Sequence, residues 1–194
     1  MNAKDAHEIR YWRGCSPETL QEETDRLQLM RGLFPLPDEA ASVLEIGVGP
    51  QGGLLPFVKS RRKVGVDPLF SAYAQLGFTR PIGVECVEAY FEAWESSETF
   101  EVIICTNALD HGEMGFHTLP AIAARLRPEG RLFLHVHLRP AALLNVGHDH
   151  ALSVEQLDAE LAKLPLRELK REFFEHDVDG NYCRAVVGIW ERSR

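Results

Sequence analysis

The chain has 194 residues, 45% of them hydrophobic and 26% charged, a globular composition with length for one substantial core and not two. Its formal net charge is -8, and no basic run exceeds Ser60-Arg61-Arg62-Lys63, which disfavours a nucleic-acid partner. Four cysteines (Cys15, Cys86, Cys105, Cys183) show no C-x-x-C pairing, and the sequence shows no signal peptide and no membrane-spanning run. Reduced thiols, a cytoplasmic location and no membrane partner are expected.

Residues 16–33 open on Ser16-Pro17-Glu18 and carry Leu20, Leu27 and Met30 at roughly helical spacing, which predicts a helix ended by Pro35 and Pro37. Ahead of it, Tyr11 and Trp12 are expected to pack on the outer face of a sheet; a lid over a pocket is the alternative. Strand and helix patterns then alternate. A strand over 43–46 leads to a helix beginning near Gly52, and one over 63–66 to a helix around 71–76. A strand over 82–87 precedes a short polar segment holding Tyr90, Phe91 and Trp94. An apolar strand over 100–105 is followed by a helix over 119–126. Arg127-Pro128-Glu129-Gly130 reads as a stop and turn before a strand over 131–138. After a helix over 153–164, strands over 166–176 and 182–191 flank Asp179-Gly180-Asn181, a tight-turn signal for an antiparallel pair. Alternating strand and helix predicts an α/β fold with a mostly parallel sheet and helices on both faces. No repeat or linker divides it: one domain over 1–194 is expected, with a helical cap over 1–38, a cofactor-binding core over 40–150 and a C-terminal helix and strand pair over 151–194.

The richest stretch is Val43-Leu44-Glu45-Ile46-Gly47-Val48-Gly49-Pro50-Gln51-Gly52-Gly53, followed by Val64-Gly65-Val66-Asp67. An apolar strand enters a glycine-rich turn where backbone can approach a ligand, and the next strand ends on a carboxylate placed to grip ribose hydroxyls. A nucleoside-like cofactor is implied. Gly47-x-Gly49-x-x-Gly52 with Asp67 also satisfies the dinucleotide fingerprint, so an NAD(P)-binding oxidoreductase stays open on the motif alone. Glu45 argues against it. A carboxylate in a central strand is costly unless partnered, and S-adenosylmethionine, with its ammonium and sulfonium, suits such an acid. Capping of backbone groups at a strand end is the other use of Glu45.

Together these elements resemble a class I S-adenosylmethionine-dependent methyltransferase over residues 40–191. Glu45-x-Gly47-x-Gly49 corresponds to the family's acidic-glycine motif and Asp67 to its ribose-binding acid. Phe100-Glu101-Val102-Ile103-Ile104-Cys105-Thr106-Asn107 resembles its fourth-strand motif, and Leu126-Arg127-Pro128-Glu129-Gly130-Arg131-Leu132 the turn before its fifth strand. Asn107-Ala108-Leu109-Asp110-His111 is similar to small bacterial members of undefined substrate. The resemblance implies a doubly wound seven-stranded sheet with an antiparallel last strand, beside an extra N-terminal helix. It also implies cofactor contacts at Glu45, Gly47, Gly49, Gly52, Asp67, Tyr90, Phe91 and Asn107. Gln51 stands where the family's third glycine is usual, so the loop is expected to be one residue longer. Tyr90 stands where an aspartate is usual, and it or Phe91 is a candidate to stack on adenine. The Asn/Asp-Pro-Pro-Tyr motif of many amide and base N-methyltransferases is absent, which argues against a nucleobase amine as acceptor.

Methyl transfer from a sulfonium needs alignment and exclusion of water, with a general base when the acceptor is a hydroxyl. Ligands gather outside the carboxyl ends of the strands, which selects Asp110, His111, His135 and His137, with His148-Asp149-His150 before the next helix. His111 is the preferred base because its ordinary pKa is near neutrality. Asp110 is expected to orient it or bind substrate, His137 to sit near the mouth and His135 to be a core residue. The two His-x-His pairs, with Asp149 or Asp110 to complete a set, also raise a metal site, but the carboxylate arrangement of metal-dependent methyltransferases is not evident, and no metal is expected. The expected activity is methylation of a small hydroxyl-bearing metabolite or sugar by a monomer or homodimer, with S-adenosylhomocysteine as product. A non-catalytic cofactor-binding subunit and a metal-dependent hydrolase are the rivals from other classes.

Overall fold

The computed structural model describes residues 2–111, 115–138, 144, 150–178 and 181–194, with side chains in the last hairpin described up to 175 and from 184. Two helices come first. α1 (Ala3–Gly14) is capped reciprocally by Asn2 and Asp5, and α2 (Pro17–Leu33) by Ser16 with proline in its first turn. The alternating part follows as β1 (Glu39–Ile46), β2 (Lys59–Val66), α3 (Phe70–Gln75), β3 (Glu85–Val87), β4 (Phe100–Thr106), α4 (Leu119–Arg125) and β5 (Leu126–Leu138). α5 (Val154–Leu161), β6 (Leu166–Val178) and β7 (Asn181–Arg192) complete the chain.

The seven strands form one sheet in the order β3-β2-β1-β4-β5-β7-β6. Pairing is parallel from β3 to β5, whereas β7 inserts antiparallel between β5 and β6. The strand order reverses between β1 and β4, so a crevice opens above their carboxyl ends. Val43, Leu44, Ile103 and Ile104 in those strands are wholly buried, as strands covered on both faces must be. One face packs Leu44, Ile103 and Leu134 under α4 and α5. The other packs Val43, Ile104 and Phe133 under Met30 and Phe34 of the second helix and its end.

Four expectations need correcting. No helix begins near Gly52: Gly52 and Gly53 both take positive φ, and only a short 3-10 turn, Leu55–Phe57, follows. β3 spans three residues because Gly83 turns the chain just before it. Arg127-Pro128-Glu129-Gly130 does not separate helix from strand. It is a bulge inside β5, where pairing shifts between Phe100 and Val102 and Glu129 takes φ 63°. Finally, Tyr11 and Trp12 lie within a helix, α1, which the sequence hides because it buries none of its residues. The Asp179-Gly180 turn lies outside the described residues, but the strands on either side pair antiparallel as expected. Among the described residues, no helix is long and apolar enough to cross a membrane.

Candidate active site

The loops after β1, β2, β3 and β4 converge on one cavity of about 170 Å³, and α1 and α2 form its remaining wall. Gly47, Gly49, Asp67, Tyr90, Phe91, Asn107 and His111 all line it. Glu45, Gly52, Asp110 and His137 do not.

Glu45 is fully buried beneath the glycine loop. Its carboxylate accepts Leu54 N–H at 2.8 Å and Leu55 N–H at 2.9 Å. Burial outweighs those two donors and pushes its pKa up to about 8. Of the two uses foreseen for this acid, the capping of backbone groups is the one its geometry displays. Gly52 turns away from the cavity, and a Cβ there would approach Pro81 at 3.0 Å. Gly49 has φ +67°, and a Cβ on it would project into open space, so its backbone edge is bare to the cavity.

Asp67 caps the turns on either side of it. Its Oδ2 accepts Gly49 N–H at 2.9 Å and its Oδ1 accepts Leu69 N–H at 2.8 Å. Burial raises its pKa to about 6 against the pull of those donors, and the nearby charges of Glu8 and Asp5 add to the rise. Tyr90 fastens α1: its hydroxyl donates to Asp5 Oδ1 and accepts from Asn2 Nδ2 at 2.7 Å. Phe91 is nearly buried and packs toward Trp94. Asn107 follows β4 with φ 53°, and its N–H donates to the His135 carbonyl at 2.8 Å. Its side-chain oxygen is buried without a hydrogen-bond partner. A non-glycine residue in the left-handed region beside a cavity is the kind of strain that functional sites retain.

Asp110 is fully buried, and its charge helps to raise the pKa of the buried Cys105 thiol. The rings of His135 and His137 are 4.9 Å apart. Strand alternation puts both on the face of Phe133, under α2, rather than in the cavity. His148 and Asp149 lie outside the described residues, while the His150 ring faces Gly115 across α5's entry. Among the described residues, no group of three or more His, Cys, Asp or Glu side chains is arranged to hold a metal.

The N-terminal cap expected over 1–38 supplies the remaining wall, but the residues it brings were not foreseen. Lys4, Asp5, Glu8 and Trp12 on α1 line the cavity, as do Glu23, Arg26, Leu27 and Met30 on α2. Trp12 therefore faces the cavity as the lid alternative had it, with its ring also edge-on to Tyr73 and Phe78. The one available signal was the Asn2/Asp5 capping box. Gln51, the residue in place of the third glycine, ties the loop to this wall by donating to the Leu20 carbonyl at 3.0 Å. Glu92 accepts from Thr118 Oγ1 at 2.7 Å at the cavity's other side.

Residues 10–177 match the family described as "Methyltransferase domain". No curated protein matches the sequence. Among solved structures, the chain is similar to the N-methyltransferase NodS from Bradyrhizobium japonicum WM9 in complex with S-adenosylhomocysteine. The TM-score is 0.74 at 16% identity, with 100% of both chains covered. It is similar to coclaurine N-methyltransferase (TM-score 0.65, 12% identity, 92% of this chain and 74% of that one). The [4+2]-cyclase SpnF also shares the fold, with TM-score 0.66 and 13% identity over 87% of this chain and 80% of that one. At such identities the likeness is one of fold. The sheet order with its reversed β7 and the family match over most of the chain agree, and the chain belongs to the class I S-adenosylmethionine-dependent methyltransferases.

Proposed function

We propose that the protein transfers a methyl group from S-adenosylmethionine to a small acceptor bound in the same cavity. The observation that carries this reading is convergence: the glycine loop, Asp67 and His111 come from three separate strand ends and line one space. S-adenosylmethionine brings its methyl already activated on a sulfonium, so the chain has to hold, align and exclude water. In this reading the backbone of Gly47, closed on one side by Ala108, and the bare edge of Gly49 lie along the methionine portion. The second lone pairs of the Asp67 carboxylate accept the ribose hydroxyls, and Tyr90 and Phe91 flank the adenine. Asn107 offers its unpartnered oxygen to an N–H donor. Glu45 acts through the loop it ties down and touches no ligand.

His111 takes the acceptor's proton, the part a hydroxyl-bearing metabolite or sugar would require. Asp110, buried one residue before it, is a positioning residue for that segment. His137 has no contact with the cavity and is left without a catalytic part. The free thiols of Cys15, Cys86 and Cys105 accord with a reducing, cytoplasmic setting.

The test is transfer of labelled methyl from S-adenosylmethionine across a panel of small hydroxyl- and amine-bearing metabolites, on the wild type and His111→Gln. Turnover with at least one acceptor, reduced in the variant, supports the reading. Cofactor binding with no turnover on any acceptor would favour the non-catalytic binding subunit instead.

A further inference from the structure

We infer that the acceptor is recognised as a small organic cation, through an ammonium handle held by the acidic wall that α1 and α2 add to the cavity; a protonated nitrogen has no lone pair, so the methyl goes to another atom of the acceptor. This rests on the methyltransferase reading above and narrows it to a substrate class. Among the described residues lining the cavity, five are carboxylates (Asp5, Glu8, Glu23, Asp67 and Glu92) and two are cations (Lys4 and Arg26). The lining thus carries an excess of three formal negative charges. S-adenosylmethionine, with a sulfonium and an ammonium against one carboxylate, returns a single positive charge. Over the described lining residues two negative charges stay uncompensated in a confined space, where field lines are focused and a neutral or anionic guest gains nothing from them.

The placement of the charges says where the cation sits. Arg26 is spent on Glu23, with its Nε at 2.8 Å from Glu23 Oε2. Asp67 is occupied by the backbone of its own turns. Asp5 and Glu8 stand one helical turn apart on the cavity side of α1, Asp5 already accepting from Tyr90 and Glu8 from Trp12, and with Lys4 beside them this stretch of wall keeps a net charge of -1. The Trp12 indole N–H donates to Glu8 Oε1 at 2.6 Å, which brings a carboxylate and a large aromatic ring to the same wall. A carboxylate beside an aromatic ring is the chemistry that binds an alkylammonium, by charge and by the ring's quadrupole. The wall comes from helices outside the alternating part of the fold that carries the glycine loop and Asp67.

The experiment uses the full chain saturated with S-adenosylhomocysteine. It is titrated calorimetrically with matched sets of probes differing only at one end: tyramine, 2-(4-hydroxyphenyl)ethanol and 4-hydroxyphenylacetate, then butylamine, butanol and butyrate. The amine in at least one set is expected to bind tenfold or more tightly than its alcohol, with the carboxylate weakest. In Asp5→Asn/Glu8→Gln, which keeps the acceptors for Tyr90 and Trp12, that preference is expected to fall at least fivefold while S-adenosylhomocysteine still binds. Equal binding of amine and alcohol in both sets, tighter binding of a carboxylate, or a preference that survives in the variant would overturn the inference. Loss of S-adenosylhomocysteine binding by the wild type would instead strike the methyltransferase reading, so the two failures are separable.

Discussion

Glu45 and Gly53 meet so closely that residue 53 has no room for a Cβ: one placed there would come within 3.0 Å of the Glu45 carboxylate. The buried acid fills the space under the loop and takes the N–H groups of the next two residues, while Gly53 supplies the φ of +57° that presents them. Gly53→Ala is expected to combine a backbone conformation unfavourable to alanine with overpacking against a buried carboxylate. A loss of about 2–4 kcal/mol follows from those two effects. Urea unfolding of the variant checks it, and an unchanged midpoint would mean that the loop is softer than this contact implies.

The same acid makes stability pH-dependent with a defined sign. Its folded pKa is raised to about 8, above the ordinary value of 4.5, so the native state holds a proton that the unfolded state releases. Glu45 therefore stabilises fully below about pH 4.5, and that contribution is lost as pH rises toward 8. Glu45→Gln cannot ionise. The melting temperature of the variant minus that of the wild type is expected to rise across this window, as read by scanning calorimetry at pH steps. A difference flat in pH would contradict it.

Asp67 titrates nearer to neutrality than an ordinary aspartate, with a pKa raised to about 6 chiefly by burial. Its ionised form is the one that accepts hydroxyl hydrogens. Affinity for S-adenosylhomocysteine is expected to increase as pH rises from 5 to 7, with a midpoint near 6, and the step is expected to vanish in Asp67→Asn. Calorimetric titration at each pH measures both.

His111 lines the cavity after β4, and Asp110 before it is buried. His111→Gln is expected to lower kcat by about 10²–10⁴ on a hydroxyl acceptor while leaving cofactor affinity within threefold. For an acceptor that arrives as a free amine the loss shrinks, because a neutral nitrogen needs no base before it attacks. Steady-state kinetics on both acceptor types separates the cases.

Tyr90 is the fastening of α1 to the cofactor side of the sheet, through Asp5 and Asn2. Tyr90→Phe removes those bonds and keeps the ring. Each is worth about 1 kcal/mol. Faster amide exchange confined to residues 3–14 is the expected result, and unchanged exchange there would show that Trp12 alone holds the helix.

The alternating core was legible because its signals are local and redundant. Buried runs such as Val102-Ile103-Ile104 and the Ser16-Pro17 helix start each dictate one backbone outcome; the glycine loop did not, since the helix expected near Gly52 gives way to a short 3-10 turn. Glu45 was read as a buried acid that needed a partner, with the cofactor's cationic groups favoured; the partners its geometry displays are backbone N–H groups. What stayed hidden is what depends on long-range packing. α1 has no apolar face to betray it, so neither the helix nor its wall of Asp5, Glu8 and Trp12 could be read from periodicity. His137 looked like a site residue because it lies nearer the strand's carboxyl end on the face it shares with His135, which was read as core and is buried. Only the three-dimensional arrangement shows that this face lies under α2, away from the cavity.

The central claim is that Gly47, Gly49 and Asp67 form the seat of S-adenosylmethionine, and calorimetric titration of the wild type and Asp67→Ala tests it most directly. The account predicts binding of S-adenosylmethionine and S-adenosylhomocysteine with Kd of about 1–100 μM, weakened tenfold or more (about 1.4 kcal/mol) by Asp67→Ala. No heat of binding from either compound with the wild type, or equal affinity in the variant, would contradict it.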